Sequence, residues 1–183
     1  NHGNFEAKGV SRDTIMSFST RRQEVLDARR GPGLAAGIVA LEQATEKPIV
    51  WATGQYLSIT QQPITLDIEV LLPAKGRNVT QGRAVGHLGD QEVITVLGAC
   101  GQRPNVAEGN WYKMPSAPKP ENCDSLERHH DGDTIHEHVD IRIARGMFGF
   151  SGAGEPSGDN QSLLWARMPE VEHDAGALAI VAD

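Results

Sequence analysis

Apolar positions along the chain fall into one strongly helical stretch and several strand-like ones. Between Leu34 and Ala44, Leu34, Ile38 and Leu41 recur at the i, i+4 and i+7 positions of one face, while Ala35, Ala36, Gly37 and Ala40 keep the other faces small. Gly31-Pro32-Gly33 puts a proline at the helix entry, where its missing N–H costs nothing, and Pro48 closes the segment. A helix with so little polar surface must be covered on most sides. A glycine inside it costs about 1 kcal/mol relative to alanine, so Gly37 implies the close approach of another backbone.

Four strand-like runs follow, Ile49 to Tyr56, Ile64 to Leu72, Asn78 to His87 and Glu92 to Cys100. In the second, Thr65, Asp67 and Glu69 alternate with Ile64, Leu66, Ile68 and Val70, the period of a strand with one wet face. Pro73-Ala74-Lys75-Gly76-Arg77 and Leu88-Gly89-Asp90 supply short connections. The expectation is an antiparallel meander in which sequence neighbours pair.

The flanks are less regular. Residues 1 to 30 are polar and weakly patterned, with Gly9, Ser11 and Asp13 as turn formers and Thr20 to Arg30 readable as a short charged helix. Residues 101 to 134 carry Pro104, Pro115, Pro118 and Pro120 through a polar stretch that cannot sustain a ladder. Beyond it, His138 to Ala144 and Ser162 to Met168 read as strands around a glycine-rich loop, and Val171 to Asp183 reads as a second apolar helix. Ala175-Gly176-Ala177-Leu178-Ala179 there is a faint echo of Ala36-Gly37-Ile38-Val39-Ala40.

Composition narrows the function classes. At 39% hydrophobic and 22% charged residues the chain is too apolar to be disordered. A formal net charge of -7 argues against a general nucleic-acid binder, which needs a basic surface. Arg21-Arg22 and Arg29-Arg30 are the only paired arginines, and the simple reading is two solvated basic pairs. There is no run of about 18 apolar residues and no basic-then-apolar block at Asn1-His2-Gly3-Asn4, so no membrane partner is expected. Cys100 and Cys123 fit no metal spacing, which suits reduced thiols and a cytoplasmic setting.

Specific stretches carry a family resemblance. Tyr56-Leu57, Leu66-Asp67-Ile68-Glu69-Val70-Leu71 and the Gly76-Arg77-Asn78 turn resemble the first repeat of the double-hotdog (type II) acyl-CoA thioesterases. Met114-Pro115-Ser116-Ala117-Pro118-Lys119-Pro120 resembles the Met-Pro-x-Ala-Pro-x-Pro segment between the repeats of those enzymes. Leu164-Trp165-Ala166-Arg167-Met168, then Asp174 to Asp183, resembles the opening of their second repeat. Two positions depart from the pattern: Ser58-Ile59 replaces Arg-Pro, and Arg30-Gly31-Pro32-Gly33 replaces Phe-Gly-Gly.

The resemblance implies an α+β hotdog fold, a central helix wrapped by an antiparallel sheet, in two repeats. Residues 1–103 would form the first repeat, 104–134 a linker and 135–183 the start of a second, which would continue for about another hundred residues. It implies an acyl-CoA substrate, hydrolysis without metal or organic cofactor, and a homo-oligomer. The alternative within the same fold is a catalytically silent acyl-CoA-binding or assembly domain.

Thioester hydrolysis needs a carboxylate to attack or to activate water, and donors aimed at the developing oxyanion. The resemblance places the catalytic carboxylate at Asp183; by composition alone, an aspartate ending an apolar run is a solvated terminus. The N–H groups of a helix start, here Gly33 and Leu34, could polarise a thioester carbonyl, although every helix has such an end. His136-Glu137-His138-Val139-Asp140, preceded by His129, His130, Asp131 and Asp133, has a His-x-His-x-Asp spacing. Ile141 stands where a further histidine would be needed, so no zinc site is expected. No Gly-x-Ser-x-Gly elbow is present, which disfavours a serine hydrolase.

Overall fold

The computed structural model describes residues 6–10, 13–19, 32–58, 65–102, 109, 111, 113–126, 138–148 and 153–182. Its two compact units are Asn1–Val106 with His173–Asp183, and Ala107–Glu172.

The first unit is built on helix α1 (Pro32–Thr45) and a six-stranded antiparallel sheet. Strands β1 (Glu6–Val10) and β2 (Asp13–Ser19) form a hairpin; β3 (Ile49–Tyr56), β4 (Thr65–Lys75), β5 (Val79–Leu88) and β6 (Gln91–Gly101) complete the sheet. The order is β1-β2-β4-β5-β6-β3. The expected meander holds for β4, β5 and β6, but β3 does not pair with β4. It crosses to the far edge and pairs with β6, while β2 takes the place beside β4. The hairpin lies in residues read above as weakly patterned, with Gly9 inside β1 and Asp13 opening β2 rather than forming turns, and its register sets Met16 and Phe18 opposite Ile68 and Leu66 of β4. The expected helix over Thr20 to Arg30 lies outside the described residues.

Register shows how the sheet accepts α1. Val70, Ala84, Val96 and Gly54 form one cross-strand row on the helix side, and Gly82, Gly98 and Ala52 form the next. Side chain and gap alternate between the layers. Gly37 of α1 lies over Val96, so close that a methyl group there would sit 2.5 Å from Val96 Cγ2. One turn on, Leu41 fills the space over Gly82 and Gly98, where added methyl groups would approach its Cδ atoms at 2.5 and 3.0 Å. Gly37 thus admits a side chain from the sheet, rather than the backbone its sequence context suggested. Leu41 and Val96 are fully buried, and each contributes about 1.5–3 kcal/mol by leaving water.

The opposite side of α1 is covered by helix α2 (Ala175–Ala182), where Ala35 and Ile38 pack with Ala179, and Val39 and Ala35 lie against Gly176. This accounts for a helix apolar nearly all round. The end of α1 is tied down by its own polar residues: Thr45 Oγ1 donates to Leu41 O at 2.7 Å, and Glu42 Oε1 accepts from Ile49 N at 2.8 Å. Lys47 Nζ donates to Gly76 O and Thr80 Oγ1, pinning the β4–β5 connection. Cys100 is buried beside Thr45; burial pushes its thiol pKa up, against the smaller opposing effect of the Thr45 hydrogen bond. Both cysteines are free.

The second helix starts at Ala175 rather than at Val171. Asp174 sets the boundary: its Oδ1 accepts from Ala177 N at 2.8 Å, and its carbonyl accepts from Leu178 N. Asp174→Ala should cost about 1 kcal/mol in a denaturant titration of the full chain. An unchanged midpoint would show that packing alone holds α2.

In the second unit, a three-stranded antiparallel sheet has the order β11-β8-β7, formed by β7 (Asp124–Ser125), β8 (Asp140–Arg145) and β11 (Leu163–Arg167). Between β8 and β11 lie β9 (Met147–Phe148) and β10 (Ala153–Gly154), which pair with each other. The stretch read as unable to sustain a ladder does supply one short strand, β7, directly after a 3-10 turn at Pro120–Asn122. It forms once the prolines are past.

Candidate functional site

In the first unit the chemistry-bearing feature is the start of α1. Pro32 opens the helix, so the N–H groups that lack an intrahelical acceptor include those of Gly33 and Leu34, and the helix dipole places partial positive charge there. Side chains crowd this turn from the sheet. A methyl group at Gly33 would sit 2.9 Å from Ile94 Cδ1 and 3.3 Å from Tyr56 Cε1, so the backbone here lies close against that pair. Leu34 packs against the core and over Gly54, which leaves its main chain, not its side chain, for any ligand. The first turn holds no acidic residue. Next to Tyr56, Leu57 N donates to Val93 O, and Ser58 Oγ accepts from Gln91 Nε2 at 3.1 Å.

The apolar run of α2 ends at Ala182, and Asp183 follows it in sequence. Asp183 itself lies outside the described residues, as do His129 to Glu137 of the histidine-rich run. Of that run's His-x-His-x-Asp positions, His138 and Asp140 are described, and the Asp140 carboxylate is taken up by two guanidinium groups. Among the described residues no cluster of histidine, cysteine and carboxylate side chains is arranged to hold a metal ion.

The second unit brings together two stretches that the sequence keeps far apart. In the β8–β11 ladder, Arg167 faces Asp140 and Trp165 faces Arg142. Arg167 Nε donates to Asp140 Oδ2 at 3.0 Å, and Arg142 Nε lies 3.3 Å from Asp140 Oδ1. The proline-rich segment runs alongside. Trp165 Nε1 donates to Pro118 O at 2.9 Å, and Arg142 Nη1 donates to Pro120 O at 3.3 Å. Together Pro120, Glu121, Asp140, Arg142, Trp165 and Arg167 border a groove of about 370 Å³. Sequence reasoning did not assemble this set, because its members meet only through strand register.

The sequence matches no protein-family model and no curated protein. Solved structures do share the architecture. A hot dog fold protein of unknown function from Alicyclobacillus acidocaldarius aligns with 96% of this chain and 65% of its own, at 14% identity and a TM-score of 0.68. The fold is the hotdog. A candidate thioesterase from Novosphingobium aromaticivorans aligns over 94% of this chain at 22% identity and a TM-score of 0.74. A TesB protein of Mycobacterium avium subsp. paratuberculosis aligns over 96% at 16% identity and a TM-score of 0.62. The chain spans 68% and 64% of these two proteins, about two thirds of their length. In hotdog terms α1 is the central helix, and the sheet from β2 to β3 is its wrapping. Among the described residues no helix is long and apolar enough to cross a membrane.

Proposed function

We propose that this hotdog chain acts in an acyl-CoA thioesterase, which hydrolyses an acyl-CoA to free acid and coenzyme A. The observation that carries the proposal is the hotdog fold shared with thioesterase-named structures over nearly the whole chain, on a sequence that keeps the Met114 to Pro120 segment. Fold alone fits many activities, so the chemistry must come from particular groups. The first turn of α1 offers N–H donors at Gly33 and Leu34 but no carboxylate, and the reaction needs both. Asp183, directly after the apolar run of α2, is the proposed carboxylate; it would attack the thioester carbonyl or deprotonate the attacking water.

No metal or organic cofactor is called for, because a carboxylate and a polarised carbonyl suffice for thioester cleavage. A cytoplasmic homo-oligomer is part of the proposal. The oligomer is supported by exposed apolar residues at and beside the open edge of the sheet, Val50 and Trp51 of β3 and Leu97 of β6. Light scattering on the full-length protein should give a mass above that of one chain, and Trp51→Lys should lower it.

The test of the activity is release of coenzyme A thiol from a series of acyl-CoA chain lengths by the full-length protein. Hydrolysis of at least one member is expected. Binding of acyl-CoA without hydrolysis at any length would replace the proposal with the silent-domain reading.

A further inference from the structure

Directly below the first turn of α1, one side chain fills the space between helix and sheet. Ile68, Gly86, Ile94 and Tyr56 form a cross-strand row on the helix side, and Gly33 lies over the Ile94 and Tyr56 end of it. Ile94 is buried, at 3% exposure. It reaches three glycines at once. A methyl group at Gly33 would lie 2.9 Å from its Cδ1, one at Gly54 would lie 3.9 Å from its Cδ1, and one at Gly86 would lie 2.7 Å from its Cγ2. A second side chain touches each of the same positions: Tyr56 at Gly33, Leu34 at Gly54 and Leu66 at Gly86. Ile94 is common to all three, and it occupies the room that the missing side chains leave.

The place of this plug matters because of what stands above it. A thioester carbonyl held on the Gly33 and Leu34 amides starts its acyl chain at the first turn of α1. An apolar chain gains from leaving water only where apolar space is open to it. The apolar space next to these amides is the layer between α1 and the sheet, and Ile94 closes that layer at the helix start. A short acyl group has little surface to bury and loses little by staying outside. A longer one must remain in water or force Ile94 aside, and overfilling a packed core is unfavourable. Shortening Ile94 would reopen the route, and Gly33, Gly54 and Gly86 have no side chains with which to refill it.

We propose that Ile94 is a specificity-determining residue, which closes the interior of the fold to the acyl chain and confines the substrate to short acyl groups such as acetyl and butyryl. This rests on the hydrolytic reading above, which puts the carbonyl on the Gly33 and Leu34 amides, and adds to it the length of the chain. Val96 supplies the contrast. It is also fully buried between helix and sheet, but it lies under Gly37, one turn further along α1. A cavity made there stays behind the Ile94 side chain.

The test is the kcat/KM of the full-length protein for acetyl-, butyryl- and octanoyl-CoA, with the Kd of the matching ketone analogues, in which a methylene between sulfur and carbonyl prevents hydrolysis. The wild type should favour butyryl over octanoyl by about tenfold or more, the discrimination that methylene positions in an apolar pocket carry. Ile94→Ala should raise the octanoyl-to-butyryl ratio by about tenfold or more, a gain that misfolding cannot imitate. Ile94→Val should move it the same way by less, which keeps the test open if the alanine variant does not fold. Val96→Ala should leave the ratio unchanged. A wild type that takes octanoyl as readily as butyryl would overturn the proposal and leave the hydrolytic reading standing, as would an unchanged ratio in folded Ile94 variants or an equal shift in Val96→Ala. If the wild type hydrolyses no acyl-CoA, the hydrolytic reading falls and the ketone analogues decide: the same shift in Kd ratio upholds the role of Ile94, and no shift or no binding ends it.

Discussion

Gly37→Ala should destabilise the protein, although alanine is the better helix former by about 1 kcal/mol. The added methyl group would lie 2.5 Å from Val96 Cγ2 and 2.8 Å from Val96 Cβ, distances at which one layer must move. Val96 cannot yield. It is fully buried in the row between Ala84 and Gly54, under the central helix and within the main core cluster. Overpacking of this kind typically costs about 1–3 kcal/mol, and Gly37→Val should cost more, because a branched side chain adds two further carbons to the same space. For a chain of this size each kcal/mol lowers Tm by about 2–4 °C.

Cavity and crowding can be separated by a second change. Val96→Ala alone should also destabilise, since it removes buried carbons. In combination with Gly37→Ala the two should cost less than their sum, because the new methyl group fills the space the valine vacates. Thermal melts of the four proteins read this directly. If Gly37→Ala were more stable than the wild type, helix propensity would outweigh the contact, and the fitted packing of α1 on the sheet would not hold.

How much of this was legible in the sequence depended on the range of the interaction. The central helix was readable because Leu34, Ile38 and Leu41 are local to one another, and Pro32 marks the entry. The bounds of β3 were readable from Ile49 to Tyr56 for the same reason. Its neighbour was not. Pairing of β3 with β6 instead of β4 is a long-range choice, made by burial of Ala52, Gly54 and Tyr56 against the helix, and no pattern within the strand encodes it. The β1–β2 hairpin escaped because Met16 and Phe18 acquire meaning only opposite Ile68 and Leu66.

The sites divide in the same way. Gly33 and Leu34 could be named as helix-start residues, and that is where they lie, yet their apolar surroundings of Tyr56 and Ile94 come from other strands. The start of α2 had a local signal in Asp174, three residues before the amide it caps, which the alanine-rich run obscured. The groove in the second unit had none. Arg142 and Trp165 are cross-strand partners, and the carbonyls of Pro118 and Pro120 reach them from a third segment.

In the full-length protein, Asp183→Asn should abolish most turnover. The reaction must place a negative oxygen on the thioester carbonyl carbon or generate one from water, and an amide can do neither. Asparagine keeps the shape and much of the hydrogen bonding of aspartate, so the loss can be assigned to charge. General-base assistance alone contributes about 10² to 10⁴-fold, so kcat should fall by at least about a hundredfold. The KM for acyl-CoA should change little, because a group that acts only in the chemical step leaves ground-state binding intact. Thiol release followed at saturating acyl-CoA, with a thermal melt to confirm folding, separates the outcomes. A folded variant with undiminished kcat would remove Asp183 from the mechanism. The carboxylate would then have to come from another element, since the first turn of α1 holds none.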